Sequence, residues 1–367
     1  MTRLLMVSTI ATTLSTFLLP HVRCMQHEGW IVDGVANGIA SNQDCVNTFN
    51  SIYEIEWSRS PLDVVHMIKA MKRIKEIVEK GGYDIVHVHT PIASAVTRFA
   101  LRHLVEAKKI KMMYTAHGFH FYKGARWLNW LVYYPIEKYL SRYTDVLITI
   151  NKEDYAIAKN KMYAKQTEYV PGVGIDVDKI NNISVDKNQK RRALGIPVNA
   201  IVLLSVGELN KNKNHEVVIR AIAQLKRDDI IYVICGRGIL EDYLKKLAQK
   251  LGIFRQTLFL GFRTDIIEIA KASDVFVLPS LREGLPVALM EAMACSLPIV
   301  CSDIRGNSDL IDNGIGYRFN PHDVDSLLTC LNAVISQPRD LINYEVLDQI
   351  SLKNVEKDMR KIYFLNI

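Results

Sequence analysis

The chain has 367 residues, 49% hydrophobic and 23% charged, with a formal net charge of +7. That length exceeds one small core and suits two α/β domains, while the composition excludes a largely disordered chain. The mild positive balance favours anionic partners, such as a nucleotide diphosphate or an acidic membrane surface; without a zinc-finger, RNA-recognition or homeodomain pattern it argues against nucleic acid as a partner.

Residues 4–8 read as a first strand, followed by a loop over 9–13 and a helix over 14–28. A signal peptide over residues 1–20 is the alternative. Against it, residues 8–16 carry six hydroxyl side chains where a signal core is continuous, and cleavage would remove the first strand. No other stretch approaches the ~20 apolar residues of a membrane span, so any membrane association is expected to be peripheral. Residues 30–36 and 52–57 read as further strands. Pro61 opens a helix in which Val64, Val65, Ile68, Met71, Ile74 and Val78 recur at helical spacing, with Lys69, Lys72, Arg73 and Lys75 as a basic face; Gly81-Gly82 ends it. Strands over 84–89, 110–115 and 145–150 follow, with a helix over 91–107 and a long aromatic helix between them. In the run Phe119, Phe121, Tyr122, Trp127, Trp130, Tyr133 and Tyr134, helical spacing assigns Trp130 and Tyr134 to core packing. The other aromatics, with Lys123 and Arg126, make either more core or an amphipathic surface for a lipid interface.

After the Pro171-Gly172-Val173-Gly174 turn, the polar residues 181–192 read as connector, and the strand–helix alternation begins again. Residues 201–206, 230–235, 257–260, 275–278 and 299–301 are five more strands. The fold class is therefore α/β, with two parallel, doubly covered sheets. The domains are residues 1–170 and 199–345, joined by a linker over 171–198, with a C-terminal helical segment over 346–367. A ligand is expected in a cleft facing the strands' carboxyl ends. The six cysteines are scattered without a Cys-x-x-Cys pair, as in the reduced core of a cytosolic protein.

The most informative stretch is residues 274–298, DVFVLPSLREGLPVALMEAMACSLP. A buried strand ends at Pro279-Ser280, a loop carries Arg282, Glu283, Gly284 and Leu285, and Pro286 suits the first turn of the next helix. Glu283 stands at the mouth of that helix and Glu291 about 12 Å further on if every step rises ~1.5 Å. The helix N-terminus between them favours a phosphate. A nucleotide-sugar, with hydroxyls at both ends and a diphosphate between, fits that layout, and two solvated glutamates on an ordinary α/β unit are the alternative.

The wording Glu283-Gly284-Leu285-Pro286 through Glu291-Ala292-Met293-Ala294 resembles the two-glutamate motif of the family-4 retaining glycosyltransferases, which have the GT-B fold of two Rossmann-like domains facing a cleft. The resemblance implies that Glu283 touches the donor sugar and Glu291 the ribose, with Gly284 and Leu285 at the nucleotide-sugar. The segment 207–215, GELNKNKNH, resembles the family's strand-end Gly-Arg motif, which places Lys213 on the donor phosphates. Here Glu208 stands where the family usually has arginine, and either Lys211 or Arg237 supplies that charge. Gly236, in Cys235-Gly236-Arg237-Gly238, is either a simple turn or, by resemblance, part of the nucleotide site; Arg263 is placed along the base. Thr115-Ala116-His117-Gly118 looks like the family loop whose histidine lies beside the reacting sugar, which assigns that role to His117. His87, His89 and His120 read as hydrogen-bonded or solvated histidines. The loop over 9–13 lacks the Gly-Gly pair of many relatives, leaving its contacts to phosphate or acceptor open.

The resemblance implies a retaining hexosyltransferase of capsule or exopolysaccharide assembly. Its donor would be a nucleotide-diphosphate sugar such as a UDP-sugar, and its acceptor a polyprenyl-diphosphate-linked saccharide. No acidic pair has metal-ligand spacing, so neither a metal nor a cofactor is expected. Location is expected in the cytoplasm, peripheral on the anionic inner face of the cell membrane. A non-hydrolysing sugar-nucleotide 2-epimerase and a non-catalytic sugar-binding protein are the alternatives.

Overall fold

The computed structural model describes residues 1–57, 63–311, 316–337 and 344–367. The chain forms two compact units, the first comprising Met1–Gly174 with Lys353–Ile367 and the second Ile175–Leu352.

In the first unit β1 (Arg3–Ile10), β2 (Ile31–Asn37), β3 (Ile52–Glu54), β4 (Ile85–His89), β5 (Lys111–Ala116), β6 (Val146–Thr149) and β7 (Gln166–Tyr169) form one sheet in the order β3-β2-β1-β4-β5-β6-β7. Every pairing is parallel. The two-residue period of a strand divides β1 between two cores. Leu5 and Val7 pack with Val86, Val88, Met112 and Ile74 on one face, while Leu4 and Met6 pack with Val22, Val32 and Met113 on the other. The second face is completed by Val355, Met359, Ile362 and Tyr363 of the helix Leu352–Phe364, so the chain's C-terminal end belongs to the first unit's core.

The second unit's sheet contains β8 (Ile201–Val206), β9 (Ile230–Cys235), β10 (Thr257–Gly261), β11 (Val275–Leu278), β12 (Ile299–Ser302) and β13 (Tyr317–Phe319), again all parallel, in the order β10-β9-β8-β11-β12-β13. Both orders are doubly wound. The winding reverses between β1 and β4 in one unit and between β8 and β11 in the other, which opens a crevice at the strands' carboxyl ends.

Several local expectations are corrected. No loop occupies residues 9–13: β1 runs to Ile10 and helical turns begin at Ala11, because Ala11 and Leu14 are buried and draw the chain directly onto the sheet. The strand read over 52–57 is only Ile52–Glu54, although Ile55 and Trp57 are buried beyond it. The helix start at Pro61 and the Val64 side chain lie outside the described residues. In the helix Val64–Gly81 the core stripe is Ala70, Ile74, Ile77 and Val78, whereas Val65 and Ile68 face solvent. Its basic face is partly neutralised by Arg73–Glu76 and Lys75–Glu79 pairs on the same helix.

The polar stretch 181–192 is not free connector. The helices Val177–Asn182 and Lys187–Ala193 are capped by Asp176 and Asp186 and belong to the second unit. Arg191 is buried there, donating to the carbonyls of Val198, Ala200 and Ala272 and pairing with Asp274 at 2.6 Å. One arginine satisfying buried carbonyls packs a segment without any hydrophobic period. Among the described residues no helix is long and apolar enough to cross a membrane.

Candidate active site

The reversal point of the second unit brings together loops far apart in sequence. The amide of Leu281, after β11, donates to the Asn212 carbonyl, after β8, at 2.7 Å. Asn212 Nδ2 donates to the Arg282 carbonyl at 3.0 Å, and Asn214 Nδ2 to the Pro279 carbonyl at 3.2 Å. Lys213 follows from this tether. Its stem lies against Gly207, 3.2 Å from where a Cβ would stand, and its Nζ reaches Glu283 Oε1 at 2.7 Å. The Lys213 and Glu283 side chains are 22% and 12% exposed, so the pair is partly withdrawn from water and still reachable.

Glu283 leads into the helix Val287–Ala294. Pro286 stands at its N-cap with extended backbone, one position before the first-turn site read from sequence, because its ψ of 118° leaves helical space. The amides of the first turn lack partners within a helix, so the backbone beside Glu283 presents partial positive charge. Glu291 is half-buried, its side chain makes no hydrogen bond or ion pair among the described residues, and burial pushes its carboxyl up. Leu285 is buried, and Gly284 is pressed by the loop after β12: a Cβ on Gly306 would stand 2.2 Å from the Gly284 carbonyl oxygen, and Gly306 has φ +80°.

The adjacent strand ends are locked backbone to backbone. Gly207 donates to the Cys235 carbonyl, Leu209 to that of Arg237 and Gly236 to that of Gly261. Gly236 has φ +154°, and a Cβ there would stand 1.9 Å from the Gly207 carbonyl oxygen, so only glycine fits. Glu208 accepts from Asn210 Nδ2 at 3.0 Å. Lys211 and Arg237 are exposed, Arg282 is half-buried, and none of the three makes an ion pair among the described residues. Arg263 instead grips Asp265 with two hydrogen bonds of 2.7 and 2.6 Å, and Lys190 joins them at 2.6 Å. Those bonds hold the Asp265 carboxyl well below the usual range. Arg282 and the tethering asparagines lie inside the two quoted segments, but the sequence assigns them no role; their positions follow from a loop pairing across some 70 residues.

In the first unit His117 follows directly on β5 and is half-buried. Its Nε2 lies 3.2 Å from Nδ1 of His89, at the end of β4, and burial holds its pKa down at about 4. At the reversal point itself the Thr9 amide donates to Thr90 Oγ1 at 3.0 Å, the two hydroxyls lie 2.7 Å apart, and Thr90 has φ +65°. A threonine in left-handed backbone is strained and held there by its surroundings, a feature invisible in sequence. His87 and His89 are buried strand residues, and His120 stacks on Tyr133 at 4.7 Å.

The aromatic run divides between interior and surface. Phe119 and Phe121 are buried and stacked 4.7 Å apart, with Trp130 and Tyr134 packed on Phe121. The helix Trp127–Leu140 buries only Leu140 fully, while Trp127 is 70% and Leu131 62% exposed, beside Leu128, Val132 and Ile136 on the open side.

Residues 22–178 match the family model for glycosyltransferase family 4, and residues 186–349 match the model for group 1 glycosyl transferases. EpsD of Bacillus subtilis, named a glycosyltransferase, is 36% identical over 85% of this chain and 81% of its own length. The UDP-Gal:alpha-D-GlcNAc-diphosphoundecaprenol alpha-1,3-galactosyltransferase of Escherichia coli is 32% identical over 74% of this chain and 71% of its own. Among solved structures, Anabaena HepE in complex with UDP superposes with a TM-score of 0.78 at 18% identity, covering 98% of this chain and 99% of that one. WaaG, a glycosyltransferase involved in lipopolysaccharide biosynthesis, gives 0.74 at 16% identity over 99% of both chains. At these identities the structures share the fold.

Proposed function

Because the chain belongs to the family-4 glycosyltransferases and has the GT-B fold of two parallel-sheet Rossmann-like units, we propose that it transfers a sugar, with retained configuration and without a metal, from a UDP-sugar to a polyprenyl-diphosphate-linked saccharide in polysaccharide synthesis. The observation that carries this reading is the second unit's reversal point. There Lys213 and Glu283 pair beside a helix N-terminus, and Glu291, its side chain unpartnered among the described residues, follows along that helix.

An arriving diphosphate offers Lys213 a stronger partner than a single carboxylate, so the Lys213–Glu283 bond exchanges for a Lys213–phosphate bond and frees Glu283 for the donor sugar. Helix amides share the phosphate charge, which is the work a divalent ion does in other transferases. Glu291 accepts from the ribose hydroxyls, and Lys211 or Arg237 stands in for the arginine replaced by Glu208, with Arg282 as a further cation beside them. His117 lies beside the reacting sugar. The departing phosphate oxygen takes the acceptor hydroxyl's proton, and no protein base is needed.

A lipid-linked acceptor is supported by the Escherichia coli relative, whose name specifies a diphosphoundecaprenol substrate. It is supported also by the bare apolar side of the helix Trp127–Leu140, with Lys123 and Arg126 exposed just before it. Apolar side chains beside cations suit the interface of an anionic membrane.

The test separates the two glutamates. Glu283→Gln should lower kcat while leaving the affinity for UDP within about twofold, and Glu291→Ala should weaken UDP binding about tenfold, the loss of a charged hydrogen bond. Calorimetric titration alongside turnover reads both, and unchanged kinetics in both variants would remove the assignment. A chelator that abolishes turnover, with manganese or magnesium restoring it, would remove the metal-free part. Conversion of donor in the absence of any acceptor would point to an epimerase.

A further inference from the structure

Behind His117 lie three more imidazoles. The β4 sequence IVHVH is buried throughout, and the strand period puts His87 and His89 on one face, their rings 4.1 Å apart. With His21, from the helix Leu19–His27, the four histidines line a cavity of about 20 Å³ whose remaining wall includes Met6, Leu18 and Met359. That volume accommodates one water.

The hydrogen bonds of this group do not balance within the protein. His87 is satisfied on both sides, by Tyr363 Oη at 2.6 Å and Thr115 Oγ1 at 2.8 Å. His89 uses Nδ1 on His117, which leaves its buried Nε2 without a partner. The Val173 backbone beside the His21 ring favours its proton, and the buried Nδ1 of His21 is unpartnered. Burial keeps the group uncharged, with His21 and His117 at about 4, His87 at about 3 and His89 well below its ordinary value. Each ring therefore has one N–H and one acceptor nitrogen. His21 turns its proton to the Val173 backbone, so its Nδ1 is an acceptor.

Two arrangements of the His89–His117 bond remain. With the shared proton on His117, the proton of His89 sits on Nε2, and a cavity water that accepts it keeps one O–H without an acceptor. With the proton on His89 Nδ1, the same water donates to both bare nitrogens and no buried hydrogen is orphaned. The second arrangement wins, because buried donors without acceptors are rarer and costlier than spare lone pairs.

We propose that His89 is a positioning residue for His117: it donates its Nδ1–H to His117 Nε2, is itself fixed by a water shared with His21, and so holds His117 as the Nδ1–H tautomer. His117 then meets its ligand as a hydrogen-bond donor and has no free lone pair with which to act as a base. This assignment rests on the reading of His117 as a residue beside the reacting sugar.

The test is the 15N spectrum of the histidine-labelled full chain near neutral pH, with His89→Asn, His89→Leu and His117→Ala used for assignment and kinetics. Both His89 and His117 should carry their proton on Nδ1. His89→Leu should release the His117 tautomer and lower kcat by about tenfold to a hundredfold, with the donor KM within about twofold. His89→Asn, whose amide nitrogen replaces Nδ1–H, should recover most of kcat. A His117 protonated on Nε2 in the wild type overturns the proposal, as do equal losses in the Asn and Leu variants at equal thermal stability. Should His117→Ala keep full turnover, the active-site reading of His117 fails, while the wild-type spectrum still decides the hydrogen-bond assignment. That spectrum decides it also if His89→Leu does not fold.

Discussion

Lys213 and Glu283 are each other's counter-ion in the protein, and that pairing explains how two charges are tolerated at a partly buried reversal point. Removing the lysine leaves a half-buried carboxylate alone at the helix mouth and, on the proposed reading, takes a cation from the donor phosphates. Lys213→Ala should therefore weaken UDP binding at least about tenfold, measured by titration calorimetry; an unchanged Kd would mean that the phosphates bind elsewhere. The glutamates, the lysine and His117 can be singled out in sequence because each sits in a short local motif, and their roles stand as proposed. What each touches cannot be, since Lys213 meets Glu283 across 70 residues and His117 meets His89 across 28. The same buried histidines predict an acid-labile first unit. Their pKa values in the folded chain lie below the ordinary 6.5, so the unfolded chain binds more protons between about pH 6.5 and 4 and stability falls as pH drops through that window. His21 alone should cost on the order of 3 kcal/mol by pH 4. Melting curves from pH 7 to 4 check this, and a pH-independent Tm would contradict it.

At the scale of elements, the second unit's strand ends leave no room for side chains. Gly236→Ala places a Cβ against the Gly207 carbonyl and demands a left-handed alanine, so it should cost roughly 2 kcal/mol or more in denaturant unfolding and loosen the loop carrying Glu208 and Lys213. Most strand and helix types were readable from period, because aliphatic runs of four to six residues alternate with amphipathic stretches, whereas β7 (QTEY) and β13 (YRF) carry no such run and escape that reading. Element ends were less so: β1 outruns its apolar core by entering a buried helical turn, and the segment around Arg191 folds on polar bonds that leave no hydrophobic period. In the helix Trp127–Leu140 the core reading holds for Trp130 and Tyr134, while the choice between core and surface that the sequence left open for its neighbours falls to the surface, since most of its apolar side chains lie open. Replacing both Leu131 and Ile136 by glutamate should leave the fold stable and abolish co-sedimentation with anionic vesicles at low salt. Equal sedimentation of the double variant and the wild type would exclude this face as the docking surface.

For the whole molecule, the C-terminal helix decides what can be cut. Val355, Met359, Ile362 and Tyr363 complete a core face of the first unit, so deletion of residues 353–367 should lower that unit's thermal stability and leave the second unit's transition in place. A single unchanged transition would show that the helix is dispensable. The doubly wound plan was legible from strand–helix alternation, whereas strand order was not, because the order depends on which edge each crossover returns to and no single residue encodes that. The proposed reaction is transfer of a sugar from a nucleotide diphosphate to a lipid-linked acceptor with configuration retained. Its most direct test is to incubate the full chain with UDP-sugars and a polyprenyl-diphosphate-linked saccharide, in chelator, and to read the new linkage by proton NMR. An α-linked product from an α-linked donor is expected, formed only when donor and acceptor are both present. A β-linked product, or transfer to soluble acceptors alone, would contradict that reaction.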